Sequence, residues 1–292
     1  MDGVIVINKP VGRTSHDMVN FVRRLFGIKK VGHTGTLDPD ASGVLPVCIG
    51  KATKAADMLT LSDKAYRAQM VFGMTTDTQD ASGEILTEQP AEVDREQFEK
   101  IIKEFIGEIQ QIPPMFSAIK KNGKKLYELA REGITVEREK RRIKISDIKI
   151  LNFDNINQTA EIEVYCSKGT YIRTLCEDIG MALGCGAYMN TLERIKSADF
   201  TIDRSYTPEE LLKMKESGSL ESAVVPVDEL FSRYERVFLN DFLSQKAKNG
   251  IPIRRKGLSE EALYRLYSEK GEFLCISKYE EGALKLEKAF WN

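Results

Sequence analysis

The sequence predicts an α+β protein built around a mixed, largely antiparallel sheet. Three observations carry that expectation. Ala160, Ile162, Val164 and Cys166 alternate strictly with Glu161, Glu163, Tyr165 and Ser167, which is the period of a strand with one wet face. Helix starts are written into the chain as capping boxes, at Asp94-x-x-Gln97 and at Thr207-Pro208-Glu209-Glu210, where a short side chain and an acid or amide three residues on satisfy the first free N–H groups. Strand-like and helix-like stretches are interleaved without the regular rhythm of a parallel sheet.

Taken in order, residues 3–8 predict a short strand. Ser15 is placed to cap a helix through Val19, Val22 and Phe26, which Gly27 ends. The segment 32–46 is too broken by Gly and Pro for a helix or strand, and the apolar run 44–49 anchors it. Tyr66, Ala68, Met70 and Phe72 alternate with polar neighbours and predict a strand. The Asp94 box opens a helix with Phe98, Ile101, Ile102 and Phe105 inward and Gly107 as its stop. A shorter helix runs from 126 to 132, closed by Gly133. Ile143, Ile145, Ile148 and Ile150 predict strand, residues 170–183 a helix, and the Thr207 box a helix ended by Gly218. The pattern lapses over 222–232. Beyond it come a strand at 236–239, a helix at 240–249 and strands at 273–278 and 283–288. About 60 residues is small for a core of its own, so this second part is expected to lean on the first.

Composition sets bounds. The chain has 292 residues, 42% of them hydrophobic, enough for one large domain and a small one. The start of the chain holds only a four-residue apolar run, ended by Asn8-Lys9-Pro10, so no signal peptide or membrane span is expected. Five cysteines without a C-x-x-C pair are read as reduced cytoplasmic thiols buried as small hydrophobes. The net charge of −1 does not suggest nucleic acid, but its distribution does. Residues 75–108 carry ten acids and three bases, whereas 120–144 carry ten bases and four acids. Such a swing suggests a local basic surface, with Lys120, Lys121, Lys124 and Lys125 lacking acidic neighbours in sequence. A solvated face is the plainer alternative.

The run from Gly32 to Pro46 is the most informative stretch. It packs three Gly, two Pro, two Asp and one of the two histidines into fifteen residues. Asp38 precedes a proline and is therefore steered away from helical backbone. Four familiar chemistries fail here. A calcium loop starting at Asp38 would need a glutamate where Ile49 stands. A phosphate loop would need lysine where His33 stands. Two histidines, no cysteine cluster and no nucleophile elbow leave neither a metal site nor a serine triad. One carboxylate remains, with supporting groups.

Gly32-His33-Thr34-Gly35-Thr36-Leu37-Asp38-Pro39 resembles the catalytic motif of the TruB-type pseudouridine synthases, which make pseudouridine-55 in the T loop of tRNA. Lys9-Pro10, Lys64-Ala65-Tyr66-Arg67, Thr76-Asp77-Thr78, Ser167 to Arg173 and Gly184-Cys185-Gly186-Ala187 resemble further blocks of that family, in its order, across most of residues 3–195. The resemblance implies a pseudouridine-synthase catalytic fold over residues 1–230, with a basic RNA-gripping insertion at about 114–143, and a small β-rich PUA-like RNA-binding domain over 231–292. It implies Asp38 as the catalytic nucleophile and Arg173 as the cation beside it. Tyr66 is implied as the aromatic that holds the flipped base and is a candidate to handle a proton, and His33 as a holder of the flipped RNA. Tyr171, Leu192 and Lys9 are implied to line the site, and Lys120, Lys121, Lys124, Lys125, Arg141 and Arg142 to meet RNA. Each has a plainer structural reading: a surface arginine for Arg173, a core tyrosine for Tyr66, a loop hydrogen bond for His33, a strand end for Lys9.

The implied chemistry fits a lone carboxylate. Uridine becomes pseudouridine by exchanging an N-glycosidic for a C-glycosidic bond. Nothing is oxidised or added, so no cofactor is expected. A carboxylate that attacks and later leaves suits this, held charged by a nearby cation in a site closed to water. A uridine in a folded loop must be flipped out to be reached. The expected partner is the T stem-loop of tRNA, with no membrane, no obligatory protein partner and a monomeric chain. The alternatives are an RNA-guided relative from ribonucleoprotein complexes, which carries longer basic tails, and a non-catalytic tRNA-folding factor, which would have no use for a carboxylate near phosphates.

Overall fold

The computed structural model describes residues 1–291 and contains two main sheets with helices packed on them. The larger has ten strands. Its main path runs Val224–Pro226, Gly3–Lys9, Ser42–Ile49, Ala187–Ser197, Lys64–Phe72, Thr159–Cys166, Arg141–Asp154, Gly107–Gln111. Val31–His33 pairs with Ser42–Ile49, and Phe200–Thr201 with Ala187–Ser197. Every pairing in it is antiparallel except one: Ser42–Ile49 and Ala187–Ser197 run parallel, with Ser42 opposite Glu193 and Gly43 opposite Arg194. The α+β expectation therefore holds.

The two strands Gly3–Lys9 and Ser42–Ile49 are buried on both faces, which explains their continuous apolar runs. Ile5, Ile7, Leu45 and Val47 join the main core beneath the helices, whereas Val4, Val6, Val44 and Cys48 face Leu59, Phe231, Ile276 and Phe290 on the other side. That second cluster joins the large sheet to the five-stranded sheet of residues 235–289, whose order is Glu235–Leu239, Leu263–Ser268, Phe273–Glu280, Ala283–Ala289, Ile253–Arg254. Buried Arg265 reinforces the seam by donating to the carbonyls of Asp228, Ser232 and Tyr234.

Two broken alternations have a common cause. Ile143 and Ile145 differ in parity from Ile148 and Ile150, yet all four turn toward the core, because the register shifts between Ile145 and Asp147. An extra residue in one strand flips the phase. The strand Ala187–Ser197 shifts likewise between Met189 and Thr191. Ala187 and Met189 pair with Phe72 and Met70, and after the shift Leu192 and Arg194 pair with Ala68 and Tyr66.

Several expectations need correction. Thr14, not Ser15, caps the helix Ser15–Phe26, through a reciprocal box with Asp17. The segment 32–46 is irregular only over residues 34–41, since strands take both ends. Gly107 does not stop the helix Arg95–Glu104; it opens a strand, and Phe105 ends the helix. The helix expected at 170–183 begins at Ile172, leaving Thr170 and Tyr171 outside. The lapse at 222–232 is ordered, with Val224–Pro226 as the edge strand beside Gly3–Lys9. The remaining helices and strands lie where expected, to within a few residues.

Candidate active site

The parallel junction in the middle of the large sheet is where the Asp38 loop sits. Residues 34–41 leave the sheet after Val31–His33 and return as Ser42–Ile49. Gly43 makes the return possible. Its φ is +104°, and an added Cβ would stand 2.8 Å from the backbone nitrogen of Arg194, closer than carbon tolerates. Gly43→Ala should therefore cost at least about 2 kcal/mol of folding stability. Urea unfolding of the variant checks this, as a lowered midpoint with unchanged slope.

Three side chains rivet the loop, and a further buried cation, Lys64, lies beside it. Ser15, freed from capping by Thr14, accepts from the Leu37 N–H through Oγ at 2.8 Å and donates to the Leu37 carbonyl at 3.2 Å. Lys9 is fully buried, and its ammonium donates to the carbonyls of Pro10, Arg13 and Pro39 at 2.9, 2.6 and 3.1 Å. Arg194 is 1% exposed and donates to the carbonyls of Val44, Thr36 and Gly35. Lys64, also buried, donates to Thr60 and Ser62 at 2.9 and 2.6 Å. Among the described residues none of these three cations has a carboxylate partner. They hold backbone carbonyls instead, which is how a buried cation is tolerated. Burial pushes the Lys9 and Lys64 pKa values down to about 8; Asp40 and Asp38 oppose the shift at Lys9, and the Arg194 charge adds to it at Lys64.

On this frame the Asp38 carboxylate is 46% exposed, with Oδ2 3.1 Å from Nη2 of Arg173. Arg173 stands in the first turn of the helix Ile172–Ala182, behind Tyr171, whose N–H and carbonyl both bond the buried Gln111 side chain. Its guanidinium has four partners in two pairs. Nη2 meets Asp38 and the Phe116 carbonyl, 3.0 Å; Nη1 meets Asp80 at 3.3 Å and the Thr78 carbonyl at 3.1 Å. Asp80 is fixed in turn, its Oδ1 accepting from Thr78 Oγ1, Ser82 N and Ser82 Oγ. The arrangement is one exposed carboxylate aimed by a buried, planar cation whose other edge is anchored. The expected closure to water is not present in the chain by itself.

The other candidates divide. Tyr66 is 9% exposed, packs with the main core and sits opposite Arg194. Burial raises its hydroxyl pKa, against the pull of the Arg194 charge, so the phenol is a proton donor at neutral pH. His33 lies just before the loop, and its Nδ1 accepts from the Gly35 N–H at 3.3 Å. Burial first, then the Arg194 charge, lower its pKa, which suits a neutral ring with its proton on Nε2. Leu192 is part-buried against the core. Lys9 belongs to the loop frame. The hairpin of Lys120–Lys121 and Lys124–Lys125 stands apart, with no hydrogen bond or ion pair to the Asp38 cluster among the described residues. Its connection is the Phe116 carbonyl on Arg173. The hairpin is not wholly free of acids: Glu132, distant by eight residues, pairs with Lys124 at 3.3 Å. Lys125 and Arg131 lie over the Tyr127 ring at 5.3 and 5.6 Å. Arg141 and Arg142 open the strand that follows, exposed opposite Gln111 and Gln110.

Residues 23–172 match the N-terminal domain model of the TruB family pseudouridylate synthases, and residues 173–232 match the tRNA pseudouridylate synthase B C-terminal domain. The chain belongs to the TruB family of pseudouridylate synthases. It is 44% identical over 294 residues to the tRNA pseudouridine synthase B of Clostridium perfringens, covering 99% of this chain and 98% of the relative. The Bacillus pumilus protein of the same name is 42% identical, with 94% and 92% covered. Among solved structures, a Cbf5-Nop10-Gar1 complex gives a TM-score of 0.75 at 28% identity, covering 99% of this chain and 85% of that one. An H/ACA RNP bound to a substrate RNA containing 2'-deoxyuridine gives 0.74 at 26%, with the same coverage.

In this TruB-family chain Asp80, Arg194 and the hydroxyl of Ser15 support the site without standing out in the sequence. Asp80 had a faint signal. Asp80-Ala81-Ser82-Gly83 echoes Asp40-Ala41-Ser42-Gly43, and an Asp two residues before a Ser favours a tight side-chain-bonded turn. Arg194 had none, because its acceptors lie 150 or more residues away.

Proposed function

We propose that this chain isomerises the uridine at position 55, in the T loop of tRNA, to pseudouridine without a cofactor, with Asp38 as the nucleophile acting on a flipped-out nucleotide. One observation carries the reading: of the two carboxylates in the central loop, Asp38 is left half-exposed while a buried arginine, held by three other partners, aims it. In the reaction the C1′–N1 bond breaks and a C1′–C5 bond forms; C5 gives up its hydrogen as a proton and N1 takes one. Asp38 supplies an anion that bonds to the nucleoside and then departs. Arg173 orients it. The half-open carboxylate fits a substrate that itself completes the enclosure.

Tyr66 holds the flipped base against its ring, Tyr171 and Leu192 line the pocket, and His33 supports the displaced loop of the RNA. Lys9 keeps its place in the loop frame. Lys120, Lys121, Lys124, Lys125, Arg141 and Arg142 grip phosphates, which gives affinity and salt dependence but not sequence choice. The catalytic part spans 1–230, including the insertion at about 114–143, and a PUA-like part spans 231–292. The protein works in the cytoplasm, as five buried free thiols suit, and acts as a monomer without the protein partners named for the solved complexes. Among the described residues no helix is long and apolar enough to cross a membrane.

The test is to incubate the purified protein alone with unmodified tRNA carrying tritium at uridine C5. Release of the label from one uridine per tRNA is expected, since C5 must lose its hydrogen; retention of all label would overturn the reading. A second experiment addresses the grip. Neutralising Lys120, Lys121, Lys124 and Lys125 together should weaken tRNA binding and reduce the slope of log K against log salt by up to about one unit per lost phosphate contact. The single-turnover rate at saturating enzyme should hardly change. Superimposable salt slopes for variant and parent would mean that the hairpin is a solvated face.

A further inference from the structure

Gln79 is the one residue of its turn in left-handed backbone, with φ +65°, a conformation that costs a non-glycine residue of order 1–3 kcal/mol unless its surroundings impose it. The surroundings here are specific. The Gln79 N–H donates to the Thr76 carbonyl and its carbonyl accepts from Met189 N–H, both at 3.1 Å. Its side-chain amide reaches the helix Ile172–Ala182. Oε1 accepts from Thr174 Oγ1 at 2.7 Å, and Nε2 donates to the Glu177 carboxylate. Thr174 is 3% exposed.

The neighbours of Gln79 are the two groups that anchor Arg173, the Thr78 carbonyl and the Asp80 carboxylate. Three successive turn residues are thus fastened to one helix start: Thr78 and Asp80 by Arg173, and Gln79 by Thr174 and Glu177. Were the turn to relax from its left-handed step, the carbonyl before it and the carboxylate after it would rotate relative to each other. The rigid guanidinium could not follow both.

We propose that Gln79 is a positioning residue, whose amide clamps the turn 78–80 to the helix so that Arg173 meets Asp80 and Asp38 together. The inference rests on the roles given to Asp38 and Arg173 above. It requires one acceptor and one donor at the end of the side chain. Glutamine supplies both. Glutamate supplies two acceptors and places a carboxylate against Glu177.

That difference makes the test. In Gln79→Glu the two facing carboxylates can share a proton at low pH but repel once both ionise. Asp178 on the same helix and Arg138 from the insertion are the other charges that face Glu177. The single-turnover rate constant of Gln79→Glu, divided by that of the parent, should fall as pH rises, by roughly ten- to a hundredfold at the alkaline end, with tRNA Kd unchanged. Adding Glu177→Gln restores one donor and one acceptor with the roles exchanged. The double variant should regain the parent's rate and a flat ratio across pH. A merely structural loss would follow melting temperature and show no such rescue. A folded double variant as slow as the single one would overturn the proposal, as would a single variant that matches the parent at every pH. If Gln79→Glu alone does not fold, recovery of folding and rate in the double variant supports the clamp, and a folded but slow double variant rejects it. Asp38→Asn in the same assay separates the two levels: turnover by Asp38→Asn would remove the reading of the centre itself, whereas an inactive Asp38→Asn beside an unaffected Gln79→Glu would remove only the clamp.

Discussion

Asp38→Asn should abolish pseudouridine formation while leaving tRNA binding within about tenfold of the parent, or roughly 1.4 kcal/mol. The fold should not notice the change. The side chain is 46% exposed, and Nη2 of Arg173 can still donate to an amide oxygen at the position 3.1 Å away. Neither the Ser15 bonds to Leu37 nor the Lys9 bond to Pro39 involves the carboxylate. What is lost is the anion, and an amide cannot bond to a nucleoside carbon and leave again. Pseudouridine yield after long incubation, beside an equilibrium binding titration, checks both halves. Measurable product from a clean preparation would remove Asp38 from its role. A much larger loss of binding would make it structural.

Arg173→Lys should lower the single-turnover rate constant by at least about a hundredfold with little change in tRNA affinity. The guanidinium divides four partners between two nitrogens: Asp38 and Phe116 on one, Asp80 and Thr78 on the other. An ammonium is a single point with three donors and cannot serve both edges. It would settle near Asp80, the better buried carboxylate at 17% against 46% exposed, and leave Asp38 to swing in solvent. Single-turnover kinetics at saturating enzyme decide it. An unchanged rate constant would mean that Arg173 does not aim Asp38.

Asp38 is legible from sequence through the resemblance of residues 32–39 to the family's catalytic motif; the Gly and Pro around it mark an irregular loop but do not choose it over Asp40. Helix starts at Asp94 and Thr207 are legible because caps are local. The strand 160–166 is legible because its period is unbroken. The strand Ala187–Ser197 escaped notice for the opposite reason: a register shift at residues 189–191 breaks its period, and Glu193, Arg194 and Lys196 look like solvent-facing charges. Yet this strand brings Leu192 and Arg194 beside Tyr66 and supports the Asp38 loop from below. Long-range pairing decides that, and no local pattern encodes it. The same holds for Glu132 reaching Lys124 and for Thr14 displacing Ser15 as cap, which frees a hydroxyl for Leu37, 22 residues further on.

The buried cations show the point most clearly. Lys9, Lys64 and Arg194 would each be taken for surface residues by type. All three are buried, with carbonyl oxygens as their acceptors. Lys9 and Arg194 stiffen the one loop that has to present an exposed carboxylate accurately, a task that apolar packing alone performs poorly on a segment with so few side chains to pack. Lys64 holds the carbonyls of Thr60 and Ser62.

The most direct test of the whole account is nucleotide-resolution mapping of pseudouridine in an unmodified tRNA, after parallel incubation with the parent protein and with Asp38→Asn. The account predicts one modified nucleotide with the parent, at position 55 of the T loop, and none with the variant. Modification at another uridine, or an identical map from Asp38→Asn, would contradict it.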